Sequence, residues 1–266
     1  MLDDIEGFEA EDGEAVIWFL GGAGVAIKTR RALVYVDPYF GGSPSREWLR
    51  LTAIPVDPSE VRVATAVLST HEHTDHCHRG TVVPILRNTG AVFIGSSSSV
   101  ERVRRWLGEE EAKRKIVEVE PGSALELEDV RVRVFGSRDL YAESAVTYLF
   151  ETPGGGVFHS GDSSYFTGLK EIGDSHSVHV ALLSLGRNFR GRDDYMTPCD
   201  LIRAAIDLKA KVVVPIHYDL WKRTREDPRL VKLVAEAWEA EVDVRILSLG
   251  DSLRLRGGRI VEVRHI

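Results

Sequence analysis

Apolar positions along this chain come in short, dense runs rather than long stripes. Val16–Leu20, Val25–Lys28 and Leu33–Asp37 are rich in aliphatic, β-branched and aromatic residues, and Gly21-Gly22-Ala23-Gly24 and Thr29-Arg30-Arg31 separate them. That spacing predicts a β-meander beginning near Ala15. The glycine run lies between two strands rather than between strand and helix, so it reads as a turn and not as a phosphate loop. Farther on, Val63–Ser69 predicts a buried strand, Val82–Leu86 a helix, Ala91–Gly95 a short strand, and Ser98–Leu107 a helix with Ser96–Ser99 as its loop and cap. Strict alternation over Val130–Val134 predicts a half-buried strand, and Val146–Phe150 with Val157–Ser160 a hairpin across Thr152–Gly156.

The last third changes rhythm, with strand-like Val178–Ser184, Val212–Ile216 and Val244–Leu247 separated by helical stretches. Thr197-Pro198 with Asp200 combines an N-cap, a first-turn proline and a first-turn acid, so a helix starts there with Leu201, Ile202, Ala205 and Leu208 facing the core. Asp227-Pro228 repeats the signal, and Leu230, Leu233, Val234 and Trp238 supply the expected apolar stripe of a second helix. The acidic stretch 1–14 has few apolar residues and is expected to be a loose terminus, leaving residues 15–266 as a single domain without a linker. The order of elements fits an α/β protein in which two sheets are covered by helices.

Bulk composition narrows the function. No apolar run reaches the roughly 18 residues of a membrane span, and the N-terminus lacks the basic start of a signal peptide, so a soluble, cytoplasmic protein is expected. Cys77 and Cys199 cannot form a disulfide framework or a C-x-x-C pair. A formal net charge of −7 argues against long nucleic acid as a partner. A small-molecule substrate is the expected partner, and self-association is left open.

Candidate chemistry concentrates in Ser69-Thr70-His71-Glu72-His73-Thr74-Asp75-His76, where His71, His73, Asp75 and His76 lie within six residues after a strand-like run. Neutral imidazole and carboxylate are ligands for zinc and also suit manganese and iron, and a loop can aim neighbouring residues at ions on either side. The spacing differs from the helical H-E-x-x-H pattern, so Glu72 is not read as a general base. Four residues cannot complete a site for two metals. Asp162, after the strand ending in His159, and His217, after Val212–Ile216, are the residues that strand-end placement adds.

The H-x-H-x-D-H loop, the later Asp162 and the still later His217 resemble the ordered motifs of the metallo-β-lactamase superfamily. Trp18–Gly21, Val36-Asp37, Tyr148–Gly155, His159–Ser163, Ala210–Pro215 and His217–Trp221 are similar to its L-ascorbate-6-phosphate lactonase branch. The resemblance covers about Val16 to Pro228. It implies an αββα sandwich of two mixed β-sheets flanked by helices, with two divalent ions, Mn2+ or Zn2+, at its rim. His71 and His73 would hold the first ion, Asp75, His76 and His217 the second, and Asp162 would bridge them. The third histidine usual for the first ion is missing, because no histidine occurs between His78 and His159. Asp139, after the strand Val130–Phe135, is the substitute carboxylate, and an oxygen-richer site shifts preference towards manganese.

The implied activity is metal-dependent hydrolysis, in which hydroxide held between the ions opens a sugar-phosphate lactone or similar small lactone. Asp75 would also receive or orient the proton, and His217 would be needed for metal and turnover alike. Arg187, Asn188 and Arg190 in the glycine-bounded loop 186–192 are candidates for binding a substrate phosphate. Asp37 is expected to orient a ligand histidine through its second ring nitrogen. His78 and His159 are expected to be packing or supporting residues. Two rival readings keep the same residues: a phosphodiesterase acting on a small nucleotide or nucleic-acid end, and a non-catalytic metal-binding scaffold.

Overall fold

A computed structural model describes residues 1–188 and 193–265. Its core is a pair of mixed sheets stacked face to face. The first runs in the order β15-β14-β1-β2-β3-β4-β5-β6. It comprises β1 (Glu14–Gly21), β2 (Gly24–Lys28), β3 (Leu33–Val36), β4 (Ala66–Ser69), β5 (Val92–Gly95), β6 (Ile116–Glu118), β14 (Ser252–Arg256) and β15 (Arg259–Arg264). The second, in the order β13-β12-β11-β10-β9-β8-β7, comprises β7 (Ala124–Leu127), β8 (Val130–Gly136), β9 (Val146–Thr152), β10 (Gly155–His159), β11 (Val180–Ser184), β12 (Val212–Ile216) and β13 (Asp243–Val244). Each sheet is antiparallel at one end and parallel at the other: β3 to β6 run parallel, and so do β10 to β13. This is the expected αββα sandwich.

Burial on both faces explains why the strands read as near-continuous apolar runs. In β1, Ile17 and Phe19 point into the sandwich, whereas Val16, Trp18 and Leu20 pack under helices on the outer face. Those helices are α1 (Leu2–Gly7), α2 (Arg79–Asn88), α3 (Ser97–Leu107) and α4 (Glu109–Lys115); α5 (Gly168–Ser175), α6 (Pro198–Asp207) and α7 (Arg229–Ala237) belong to the second sheet. α6 starts as its sequence requires: Thr197 Oγ1 accepts from Asp200 N, and the Asp200 carboxylate accepts from Thr197 N, a reciprocal capping box. No helix among the described residues is long and apolar enough to cross a membrane.

Several expectations need correction. The terminus expected to be loose folds as α1. Ile5 is fully buried, Phe8 meets Trp18 edge-on at 5.5 Å, and Lys28 Nζ donates to the Ile5 and Glu6 carbonyls. A few well-placed apolar residues outweigh an acidic composition there. The strand expected from Val63 begins at Ala66, and Val63 is exposed. In α7 the buried residues are Val231 and Ala235, while Leu230, Leu233 and Trp238 lie exposed. Leu230, Val231, Leu233 and Val234 offer two apolar rows one residue apart, and packing against α6 selects the row with smaller side chains. Of the expected strand 244–247 only Val244 pairs, in the two-residue β13. The chain instead closes with the β14–β15 hairpin, turning at Gly257-Gly258, both at positive φ, and β14 zips onto β1.

Candidate metal centre

β3, β4, β8, β10, β11 and β12 all end on one rim, and the loops leaving them carry the chemistry. β4 leads to His71, β8 to Asp139, β10 to Asp162 and β12 to His217. Three groups of donor atoms converge there, each with its atoms within 4.8 Å of one another: His71 with His73 and Asp139; His71 with His76 and Asp162; Asp75 with His76 and His217. All seven residues expected to hold metal are thus brought together, including Asp139, and Asp162 Oδ2 lies 3.2 Å from His76 Nε2 and 3.4 Å from His217 Nε2.

Backbone geometry serves this convergence. His217 adopts φ 68°, held by its N–H donating to Gly22 O at 2.7 Å, and the Asp219 carboxylate accepts from Gly22 N at 2.9 Å. Gly161, at φ 55°, lets the loop of Asp162 pass Thr70 so closely that a Cβ would stand 2.6 Å from Thr70 Oγ1. Strain at such positions persists where the surroundings over-determine it.

Hydrogen bonds set which imidazole nitrogens carry lone pairs. Asp37, fully buried at φ 46°, accepts from Thr70 N at 2.7 Å through Oδ1. Its Oδ2 accepts from Thr70 Oγ1 at 2.7 Å and from His76 Nδ1 at 2.8 Å. A carboxylate only accepts, so His76 carries its hydrogen on Nδ1 and turns the Nε2 lone pair to the cluster. Thr70 has given its one hydrogen to Asp37 and therefore accepts from His71 Nδ1 at 3.0 Å, which leaves His71 Nε2 bare. Tyr141 O accepts from His73 Nε2 at 3.3 Å, leaving Nδ1 bare as well. In the neutral tautomers that these bonds select, lone pairs on His71 Nε2 and His73 Nδ1 face each other across 2.9 Å. Asp37 orients its histidine as expected; the relay through Thr70 to a second histidine is new.

These contacts make the cluster a good fit to divalent cations. His76 Nε2, Asp139 Oδ2 and Asp162 Oδ1 are buried without hydrogen-bond partners among the described residues, and opposed lone pairs repel unless a cation lies between them. Charge coupling agrees. Burial works to push Asp75 and Asp162 up, yet the surrounding histidines hold both carboxyls below the usual range, Asp75 far below it. Burial pulls His76 down, but Asp162, Asp37 and Asp75 outweigh it and hold the imidazole well above its ordinary value. His71, buried beside His76, is pushed down to about 3 and stays neutral.

The donors open into a cavity of about 410 Å³ with His73, Asp75, Asp139 and Asp162 in its wall. Tyr39, Trp48, Tyr141, Tyr195 and Trp221 supply aromatic surface, and Arg187 and Arg223 supply positive charge. Of the three residues proposed to bind substrate, Arg187 lines this cavity. Asn188 does not: its Oδ1 accepts from Asp194 N and Tyr195 N, both at 2.9 Å, and its Nδ2 donates to Tyr195 O at 2.8 Å, so its amide shapes the loop. Arg190 lies outside the described residues. His159 is a packing residue, donating from Nε2 to Ala23 O at 2.8 Å, and His78 meets Thr81 Oγ1 at 2.9 Å. Tyr165 donates to Asp207 and Tyr218 to Leu247 O, both at 2.6 Å, away from the donors.

Sequence reasoning missed Trp221 as a working residue. Its Nε1–H donates to Asp75 Oδ2 at 2.6 Å, and its ring packs on Tyr39 and Trp48 at 5.5 and 5.9 Å. The signal was its place four residues after His217, which a strand-end reading does not decode. Tyr195, stacked on His217 at 4.9 Å, carried no such signal.

A family model described as the β-lactamase superfamily domain matches residues 32–218. The chain is 30% identical, over an alignment of 285 residues, to the probable L-ascorbate-6-phosphate lactonase UlaG of Escherichia coli, covering 91% of this chain and 79% of that one. Among solved structures it is similar to Igni18, a metallo hydrolase from the archaeon Ignicoccus hospitalis, with a TM-score of 0.72, 20% identity, and 91% and 99% of the two chains covered. The isothiocyanate hydrolase from Delia radicum gut bacteria superposes with a TM-score of 0.70 at 13% identity, covering 90% and 98%. At those identities the two structures speak to the fold.

Proposed function

The chain belongs to the β-lactamase superfamily, and within that family of metallo-hydrolases we propose that it opens a small lactone, such as that of a phosphorylated sugar, to the hydroxy acid. The observation that carries this reading is the donor cluster forming the wall of a cavity of small-molecule size beside two guanidinium groups. His71, His73 and Asp139 would hold one divalent ion, Asp75, His76 and His217 another, with Asp162 shared between them. Two cations in those positions supply Lewis acidity and lower the pKa of water.

The protein's own groups do the rest. Asp75 lies so far below the ordinary carboxyl range that it stays ionised; it orients the hydrogen of an attacking water as an acceptor and does not store a proton. Trp221 fixes that carboxylate from the other side. In ring opening, water oxygen bonds to the carbonyl carbon, the ring C–O bond breaks, and the released alkoxide takes the proton that the attacking water gives up. Arg187 and Arg223 suit an anionic substrate, and the aromatic wall suits the flat face of a ring.

Parallel assays with sugar-phosphate lactones and a chromogenic phosphodiester, with and without chelator, test the proposal. Chelator-sensitive ring opening is the expected result. Turnover of the diester alone would replace the lactonase reading with the phosphodiesterase one, and absence of any chelator-sensitive turnover would favour a metal-binding scaffold.

A further inference from the structure

Glu72 stands between two of the proposed ligands, His71 and His73, yet points at neither ligand cluster. Its carboxylate is almost fully buried and reaches the other way. Oε1 accepts from Glu143 N at 2.8 Å, and Oε2 accepts from Ser98 Oγ at 2.7 Å. Ser98 Oγ in turn lies 2.7 Å from Ser144 Oγ, Ser98 N donates to Ser144 Oγ at 3.1 Å, and Ser96 Oγ donates to Ser144 O at 3.0 Å. The start of α3 and the histidine loop thus grip one point, the chain at 143–144.

That point ends the loop carrying Asp139. Its other end is tied beside Asp162: Arg138 N donates to Ser163 Oγ at 2.9 Å, and Ser164 N and Oγ donate to Arg138 O at 3.1 and 3.0 Å. Between the anchors, Asp139 Oδ1 accepts from Tyr141 N and Ala142 N, which turns Oδ2 inward, buried without a hydrogen-bond partner among the described residues and 3.6 Å from His71 Nε2. A ligand on a loop must be held to a fraction of an ångström by its neighbours, and a strand-borne ligand needs less of this.

We propose that Glu72 is a positioning residue for the first metal site: it latches the 139–144 loop to the histidine loop so that Asp139 completes the donor set with His71 and His73. The inference rests on the metal-dependent reading above. The hydrogen-bond pattern, and not the charge of Glu72, does this work. Glutamine offers the same acceptor to Glu143 N, and Ser98 Oγ can accept from its amide while donating to Ser144.

Calorimetric titration of metal-free protein with Mn2+ tests the latch without recourse to activity, and Asp139→Ala identifies which binding step belongs to the first site. Glu72→Ala is expected to weaken that same step at least tenfold and leave the other step, which serves as an internal check on folding, within about threefold of wild type. Glu72→Gln is expected to restore it, and Glu72→Ala/Asp139→Ala to bind no more weakly than Asp139→Ala alone. A wild-type titration for Glu72→Ala, an equal loss at both steps, failure of Glu72→Gln to rescue, or independent losses in the double variant would each overturn the latch. A wild-type protein lacking the step that Asp139 controls would overturn the metal reading and the latch together.

Discussion

Asp37→Asn replaces one oxygen of a buried carboxylate with an amide and should cost metal affinity out of proportion to its size. The wild-type Oδ2 accepts two hydrogen bonds, from His76 Nδ1 at 2.8 Å and Thr70 Oγ1 at 2.7 Å, while Oδ1 accepts from Thr70 N at 2.7 Å. If asparagine keeps its oxygen on Thr70 N, its NH2 faces both other groups. His76 must then give up its bond or move its hydrogen to Nε2, the atom that faces Asp162. Thr70 Oγ1, no longer donating to Asp37, loses its reason to accept from His71. A hydrogen bond to a charged group contributes about 1.5–3 kcal/mol. At 1.4 kcal/mol per factor of ten, the loss corresponds to about 10- to 100-fold in affinity, the range seen when groups supporting metal-ligating histidines are changed. The assay is competition with a chromogenic chelator, accompanied by a thermal melt of the metal-free variant to separate a folding defect from a binding one. A folded Asp37→Asn protein that binds metal as wild type does would refute the tautomer argument.

Trp221→Phe removes only the N–H that reaches Asp75 and keeps an aromatic ring beside Tyr39 and Trp48. It should weaken the metal step held by Asp75, His76 and His217 by roughly tenfold, as loss of one charge-assisted bond implies, and unchanged titration would remove Trp221 from the site. Val231→Ala, at a fully buried position of α7, should destabilise by about 1–3 kcal/mol, whereas Leu233→Ala, at a residue 58% exposed, should stay within about 0.5 kcal/mol in urea unfolding. Equal losses would return the helix face to the one its sequence suggested. Burial pushes the Glu14 carboxyl up, but Arg254 and Arg256 more than offset this, so its folded value lies below the ordinary 4.5. A depressed folded value means stability present above pH 4.5 and lost as pH falls through the folded value. The melting-temperature gap between wild type and Glu14→Gln should therefore be widest near neutrality and close in acid, and a gap independent of pH would contradict the assignment.

How much of this was legible follows from the range over which each signal acts. Strands buried on both faces announce themselves by composition, so β1 to β3, β9, β10 and β12 fall close to where the apolar runs lie. The Thr197 capping box is local chemistry and was equally readable. The edge hairpin β14–β15 also has a local pattern, Leu253-Arg254-Leu255-Arg256 before Gly257-Gly258, but only pairing with β1 gives it a place in the sheet. α4 had a signal, three glutamates in its first turn and three cations in its last, but one buried residue gives almost no stripe to detect.

The ligand loop could be recognised from sequence because four donors sit within six residues, and Asp162 and His217 because each follows a strand. By itself the chain determined that metal chemistry gathers at strand ends, since ligand type and strand pattern are properties of contiguous residues. Only the tertiary structure decided that Asp139 turns its second oxygen to His71, that Asp37 bonds His76 directly and reaches His71 through Thr70, that Trp221 and Glu72 bond from behind the donors, and that Asn188 is occupied elsewhere. Apart from the Asn188 contacts, which lie within one loop, these join residues 26 to 146 positions apart, and no local pattern encodes a direction or a distance of a few ångströms across such a span. They exist because two sheets stack and bring six strand ends to one rim.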